Sequence, residues 1–188
     1  METSTGMPAW PSVDPQHGNV RLRPFRDEDA ATVMEMSRDE YFPAIGTLAG
    51  NASVEQAMEW VERQRNRYAE GAGFSFAVAD AGTDRCVGQL GLWLRELATG
   101  RAQAGYGITP SARGHRFAAS ALLAALEFAW TIPELHRVEL YIEPWNTASI
   151  RTAELAGFAR EGLLRSYMEI SGQRRDLLVY GAVRGYEG

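Results

Sequence analysis

The middle of the sequence contains three successive segments in which large apolar residues alternate with small or polar residues. They are residues 74–78, 90–94 and 104–108, and Gly82 and Gly100 lie in the connections between them. A period of two predicts strands, and short connections require successive strands to pair antiparallel. We therefore expect a three-stranded antiparallel meander, around which the remaining elements must be arranged.

Helical patterns lie on both sides of this meander. Asp27 is a candidate cap of a first helix, and Ser53 with Gln56 predicts a capping box at the start of a second. Beyond the meander come an apolar helix, a strand near residues 138–142, a short helix from Thr147 and two final strands. The helix between two strands predicts a βαβ crossover and hence one parallel pair. The order indicates a mixed α/β fold with a mostly antiparallel sheet of six to seven strands and helices on both faces.

The length of 188 residues fits one domain. We expect it to span residues 20–184, after a flexible tail over residues 1–19 that is rich in proline and glycine. The tail lacks the basic start and apolar stretch of a secretory signal, which predicts a cytoplasmic protein.

Charge and composition argue against several classes of partner. A net charge of -5 gives no electrostatic footprint for nucleic acid. The apolar runs are too short for a membrane partner. The single cysteine, Cys86, excludes an internal disulfide, and we assign no metal site.

The loop from Ile108 into the apolar helix has the features of a phosphate-binding turn. Gly114 allows close approach of the backbone, Arg113 and Arg116 add positive charge, and the first helical turn offers free N–H groups. The loop matches neither a Walker A motif nor a dinucleotide-binding glycine motif. On this segment alone, an ordinary strand-to-helix turn with solvated arginines explains the residues equally well.

Several motifs together resemble the GNAT acetyltransferase superfamily, and in particular its ribosomal-protein N-terminal acetyltransferase (RimJ/RimL type) branch. The motif Pro110-x-x-Arg113-Gly114-x-x-x-Ala118 is similar to the acyl-CoA pyrophosphate motif of GNAT enzymes. The matching residues elsewhere are Leu22 to Pro24, Gly105-Tyr106, Asn146 to Ser149, Leu155 and Gly157-Phe158. The resemblance extends from about Val20 to Val183.

This resemblance implies a GNAT-like fold whose parallel strands splay apart, and an acetyl-CoA-dependent N-acetyltransferase activity. It implies that Ser149 is the catalytic acid near the sulfur of the cofactor. Separately, Trp145 precedes Asn146 at the carboxyl end of a strand, where it is either an aromatic wall of the substrate pocket or a side chain packed under a loop. The implied cofactor-binding residues are Ile108, Thr109, Arg113, Gly114, His115, Arg116, Phe117, Ala118, Asn146 and Ser149.

The sequence departs from the family pattern at three positions. Arg116 stands where the family usually has a second glycine, and we expect ordinary helical dihedral angles there. Ala153 replaces a tyrosine acid, so Ser149 is its substitute. Gln103 replaces a glutamate that often serves as base, which leaves Glu139, Glu143 and Glu169 as candidates that we interpret as solvated strand residues.

A site without a clear base favours a weakly basic amine. An α-amine has a pKa of about 7.7–8.0 and a lysine amine about 10.4, so far more of the α-amine is neutral near pH 7. We therefore expect a protein or peptide N-terminal α-amine as acceptor. Acetylation of a small amine in detoxification or antibiotic self-immunity, and a non-catalytic acyl-CoA-binding module, remain alternatives. Dimers are common in the resembled branch, which allows a homodimer.

Overall fold

The structure of the protein is a computed structural model that describes residues 6–186. The strands are β1 (Gln16–His17), β2 (Val20–Arg23), β3 (Gly73–Asp80), β4 (Cys86–Trp93), β5 (Arg101–Ile108), β6 (Arg137–Ile142), β7 (Ala159–Ile170) and β8 (Gln173–Val183). The α-helices are α1 (Ala30–Met36), α2 (Tyr41–Ile45), α3 (Val54–Ala69), α4 (Phe117–Ala129) and α5 (Thr147–Leu155). Short 3-10 turns lie at Asp27–Asp29, Leu97–Thr99 and Pro110–Ala112.

All the strands join one sheet, in the order β1-β2-β3-β4-β5-β6-β8-β7. The predicted meander is confirmed, because β3, β4 and β5 pair antiparallel in succession. The predicted parallel pair is also confirmed as β5 and β6. The sheet has eight strands rather than six or seven, because Gln16 and His17 pair with Arg21 and Val20 as an added edge strand.

Helices cover both faces of the sheet, as predicted. On one face α4 packs against β1, β2, β4 and β5, and α5 packs against α4 and β6. On the other face α1 and α3 pack against each other and against β3 and β4. The buried side chains form two separate clusters, one that includes Leu122 and Phe128 of α4, and one that includes Val33 of α1 and Trp60 of α3. No helix within residues 6–186 has the length and apolar character needed to cross a membrane.

The segment before Val20 differs from the flexible tail that we predicted. The Trp10 ring lies 5.0 Å from the Phe76 ring and 5.6 Å from the Phe74 ring, measured between centroids. The Tyr68 hydroxyl accepts a hydrogen bond from Trp10 N–H at 3.2 Å and donates one to the Pro8 carbonyl at 3.1 Å. Burial of a large aromatic ring fixes the segment despite its proline and glycine content. Residues 1–5 lie outside the described part of the chain.

Asp29, rather than the predicted Asp27, organises the start of the first helical segment. Its carboxylate accepts hydrogen bonds from Arg26 N–H at 2.8 Å and from the Arg23 guanidinium at 2.8 and 2.9 Å. Arg23 and Asp29 are both only 2% exposed. Asp27 instead forms an exposed ion pair with Arg65.

We expect Asp29→Ala to lower the free energy of unfolding by about 3 kcal/mol, because it removes the buried carboxylate that accepts two hydrogen bonds from Arg23 and leaves the Asp84 carboxylate, 3.3 Å from Arg23 Nε, as the remaining countercharge. The matched variant Asp27→Ala removes an exposed ion pair and is expected to lower it by less than about 1 kcal/mol. Urea denaturation of both variants measures the difference. Equal losses would contradict the structural role given to the buried pair.

Candidate active site

A cleft opens where the parallel pairing of β5 and β6 stops. The two strands pair only from Arg101 to Gln103 on β5 and from Arg137 to Glu139 on β6. Beyond these residues they diverge around a cleft of about 580 Å³, which the end of β5, the end of β6, α2, α5 and the loop before α4 line.

The cleft-facing edge of β5 carries peptide groups without a strand partner. Thr109 N–H donates to the Val87 carbonyl at 2.9 Å, and Ile108 lies opposite Gly88. In an antiparallel ladder, hydrogen-bonded and non-hydrogen-bonded pairs alternate, so the peptide groups of Ile108 point away from β4 and towards the cleft. Such an edge can bind an extended ligand that carries amide groups.

The loop between β5 and α4 presents a run of free N–H groups. The first backbone N–H at the start of α4 with an acceptor is Ser120, which donates to the Arg116 carbonyl at 3.0 Å. Within residues 6–186, the backbone N–H groups from Gly114 to Ala119 have no hydrogen-bond acceptor. Consecutive free N–H groups at a helix N-terminus form an anion-binding site. The loop therefore has the geometry that a diphosphate requires.

Arg116 does not have the helical dihedral angles that we predicted. It is the N-cap of α4 and adopts a left-handed conformation with φ of 61° and ψ of 12°. The chain must reverse at this residue to bring the N–H groups of α4 to the loop mouth, and a left-handed residue achieves this reversal. The position is therefore one where glycine would fit without strain. The Arg116 side chain is exposed beside the cleft that it lines.

Arg113 connects the loop to α2. Its guanidinium donates to the Asp39 carboxylate at 2.6 Å and to the Ile108 carbonyl at 3.2 Å. Burial alone would raise the pKa of Asp39, but hydrogen bonds from Phe42 N–H, Arg113 and Tyr41 N–H outweigh it and hold that pKa below its usual value. Asp39 is therefore ionised at neutral pH, and both of its carboxylate oxygens already accept hydrogen bonds.

Ser149 lies in the first turn of α5, on the wall of the cleft. Asn146 is the N-cap of this helix, and its side-chain oxygen accepts a hydrogen bond from Ser149 N–H at 3.1 Å. The Tyr106 hydroxyl is buried without a hydrogen-bond partner among residues 6–186, and this burial raises the pKa of Tyr106. Ser149 thus has a fixed backbone, and Tyr106 lines the same cleft. Ala153, where the family places a tyrosine, is fully buried.

Aromatic side chains form the wall of the cleft beyond Ser149. Trp145 follows β6, is 59% exposed, and meets the Tyr41 ring edge-on with centroids 5.0 Å apart. Phe42 approaches β5 closely because Gly107 has no side chain, since a Cβ there would lie 2.4 Å from the Phe42 ring. Ile45 extends this apolar wall.

Two of the three carboxylates that we interpreted as solvated are buried. Glu139 is 9% exposed and accepts hydrogen bonds from Arg137 at 2.6 Å and from the Tyr141 hydroxyl at 2.8 Å. Glu143 is 3% exposed and lies 3.6 Å from Arg175 Nε. Glu169 is exposed on β7. Strand alternation alone does not reveal the environment of Glu143, because Arg175 comes from β8, which is distant in sequence.

The sequence did not predict the contribution of α2 to the cleft. Tyr41 and Phe42 line the cleft from this helix, which spans only five residues and lies in a segment without a helical pattern. Asp39 could have predicted the start of α2, because aspartate is a preferred N-terminal capping residue of helices. In the structure its carboxylate accepts hydrogen bonds from Tyr41 N–H and Phe42 N–H at 2.9 Å each.

Comparison with known proteins identifies the family. The profile of the acetyltransferase (GNAT) domain matches residues 19–159. N-acetyltransferase p20 of Bacillus licheniformis is 28% identical over 170 residues, which cover 90% of this chain and 96% of that protein.

Two solved structures share the fold. Mycobacterium smegmatis RimJ in complex with CoA-disulfide is 27% identical with a TM-score of 0.77, covering 92% of this chain and 85% of that one. The microcin C7 self-immunity acetyltransferase MccE, in complex with acetyl-CoA and AMP, is 15% identical with a TM-score of 0.77, covering 88% and 92%. The chain belongs to the GNAT acetyltransferase family and is an N-acetyltransferase, which confirms the predicted superfamily, fold and RimJ/RimL-type similarity.

We expect Arg116→Gly to raise the free energy of unfolding by about 1 kcal/mol, because glycine adopts the left-handed conformation without strain. Arg116→Val is expected to lower it by about the same amount, since a β-branched residue is strained there. The control Arg113→Gly, at a φ of -67°, should destabilise the protein. Chemical denaturation of the three variants checks this order, and a loss of stability in Arg116→Gly would contradict it.

Proposed function

We propose that this protein binds acetyl-CoA in the cleft between β5 and β6 and transfers the acetyl group to the N-terminal α-amine of a protein or peptide. The observation that carries the proposal is the run of free N–H groups from Gly114 to Ala119 beside the free peptide edge of β5. A diphosphate and an extended amide-bearing arm require these two features next to each other. Both features lie in the segment that the family profile covers.

The donor-binding residues follow from this arrangement. The N–H groups of Gly114, His115, Arg116, Phe117 and Ala118 would hold the diphosphate, and the Arg116 guanidinium would add a charge-assisted contact. Ile108 would pair with the pantetheine arm through its peptide groups, and Thr109 continues that edge into the loop. Asn146 would contact the same arm while it caps α5. The Arg113 side chain contributes differently, since it fixes the loop to Asp39.

Acetyl-CoA supplies an activated acetyl thioester, and the chain must orient it and provide a proton to the departing sulfur. Ser149 is the candidate donor of this proton, because it lies in the first turn of α5 on the cleft wall. Tyr106 lines the same cleft, and because burial raises the pKa of its phenol it remains protonated at neutral pH.

The acceptor end of the cleft favours a singly charged amine next to an apolar group. Its walls are Tyr41, Phe42, Ile45 and Trp145. Among the cleft-lining residues, all within 6–186, Asp39 is the one acid, and Arg113 occupies it. A polyamine would need several free carboxylates to match its charges. The N-terminal residue of a peptide presents one amine and a side chain that the aromatic wall can cover.

Acetylation of a small-molecule amine, in detoxification or antibiotic self-immunity, remains the alternative acceptor class. A non-catalytic acyl-CoA-binding role is the further alternative. The cytoplasmic location, the domain bounds of residues 20–184 and the homodimer stay predictions.

We expect calorimetry to detect binding of coenzyme A and much weaker binding of pantetheine, which lacks the diphosphate. Arg116→Glu should weaken coenzyme A binding by about 10-fold or more, because it replaces an attractive charge with a repulsive one. Pantetheine binding should not change. The matched variant Arg160→Glu changes an exposed arginine of β7 that does not line the cleft and should have no effect. Equal affinities for the two ligands would contradict the loop assignment.

We expect Ser149→Ala to lower kcat by about 10²-fold with little change in coenzyme A affinity, because only the proton for the sulfur is lost. Thr147→Ala, on an exposed residue of the same helical turn, is the control. Thiol release should be faster with peptides that carry a free α-amine than with N-terminally blocked lysine peptides or spermidine. A preference for lysine side chains or polyamines would contradict the acceptor assignment, and binding without any turnover would favour a non-catalytic role.

A further inference from the structure

Gly105 is a strand glycine on the cleft that its protein neighbours do not explain. It lies in β5, where the pairing with β4 continues without a bulge, and its backbone is not left-handed. Glycine weakens a strand interior, and without a bulge or bend it marks the close approach of another group. Apart from its chain neighbours, a Cβ at Gly105 would have one heavy atom within 4 Å, Trp93 Nε1 at 3.9 Å. No close contact within residues 6–186 therefore accounts for this glycine.

Two neighbouring glycines on the same face of the sheet are explained by aromatic rings. Gly91 lies opposite Gly105 on β4, and a Cβ there would be 2.2 Å from the Trp93 ring. Gly107 lies two residues further along β5 and shares the face of Gly105, and a Cβ there would be 2.4 Å from the Phe42 ring. The Trp93 and Phe42 rings thus border an open space above Gly105.

Further contacts restrict both of these rings. The Arg67 guanidinium lies over the Trp93 ring, 4.8 Å from its centroid. The Phe42 ring meets the Trp60 ring edge-on, with centroids 6.3 Å apart. Both rings already lie in contact with the strands beneath them, so they cannot move closer to the sheet. The width of the space between them is therefore set by the fold.

Gly105 faces away from the donor-binding residues. Tyr106 and Ile108 alternate with the glycines along β5, and their side chains pack against the apolar cluster that includes α4. Helix α5, which carries Ser149, packs against α4 on this same face. The space above Gly105 instead opens beside Phe42 of α2, on the side of the acceptor wall. A group that enters this space from the cleft therefore belongs to the acceptor.

We propose that the terminal residue of the acceptor occupies the space above Gly105, and that Gly105 is a specificity-determining residue. This inference rests on the proposed N-acetyltransferase function and assigns the position that limits the size of the acceptor next to its amine. β5 and β6 diverge just before this residue, since their last pair is Gln103 with Glu139. An amine held above Gly105 thus lies beside the opening through which it reaches the acetyl group.

Gly105→Ala adds a methyl group to this space without disturbing the fold. The backbone at Gly105 suits alanine, and 3.9 Å is an ordinary van der Waals contact. We expect the thermal unfolding midpoint not to fall, and calorimetry to give unchanged affinities for coenzyme A and acetyl-CoA. The control Gly162→Ala adds the same group on β7, outside the cleft, where a Cβ would have no heavy atom within 4 Å. It should change neither binding nor activity.

The kinetic test uses a series of peptides that differ only in the first residue, from glycine through alanine and valine to leucine. We expect Gly105→Ala to lower kcat/KM by about 10-fold or more for the largest first residue that wild type accepts, and by less for glycine. Gly105→Val should deepen the loss in the same order. A series of primary amines of increasing size provides the same comparison for small acceptors.

Three outcomes would overturn the proposal. Equal losses with every acceptor would indicate a general distortion of the site, and weaker binding of acetyl-CoA would place the donor in this space. Activity equal to that of wild type with every acceptor would show that the space is not used, although the proposed function would stand. If wild type acetylates neither peptides nor small amines, the proposed function fails, and this inference is overturned with it.

Discussion

The separation of two parallel strands is the constraint on which the site depends. β5 and β6 share main-chain pairing over only three residue pairs, whereas β6 pairs with β8 on its other edge from Arg137 to Ile142. The end of β5 is left with peptide groups that no strand satisfies. The Ile108 carbonyl accepts from the Arg113 side chain, and any group left without such a partner needs a ligand or water. The same divergence brings the N-termini of α4 and α5 to one opening, which places the free N–H groups of the loop near Ser149.

Local patterns allowed most of the architecture to be predicted, together with the free N–H groups of the loop before α4. The period-two segments fix β3, β4 and β5, and the crossover helix fixes the parallel pair, because few topologies satisfy both. Gly114 and the apolar start of α4 identify the loop, and Asn146 is the expected cap of α5. Each of these features involves residues that are close in sequence, so the amino-acid sequence alone predicts them.

Features that depend on distant contacts could not be predicted in this way. Trp10 is fixed by Phe74 and Phe76, and Glu143 is buried by the packing around β6, so neither environment is encoded by neighbouring residues. The left-handed angle at Arg116 follows from the direction in which α4 must leave the loop. The short helix α2 is held by Asp39 and by the close approach of Phe42 to Gly107. Tertiary packing determines all four of these features, so the hydrophobic periodicity of the sequence does not predict them.

The division of the interior into two apolar clusters has an evolutionary consequence. α4 and the residues behind the donor loop belong to one cluster, whereas Phe42 and the helices α1 and α3 belong to the other. Substitutions in separate clusters share few contacts, so their effects on stability are nearly additive. Substitutions can therefore accumulate in the cluster that contains Phe42 while the cluster behind the donor loop stays unchanged. Such a lineage can diversify its substrates without losing its acyl donor.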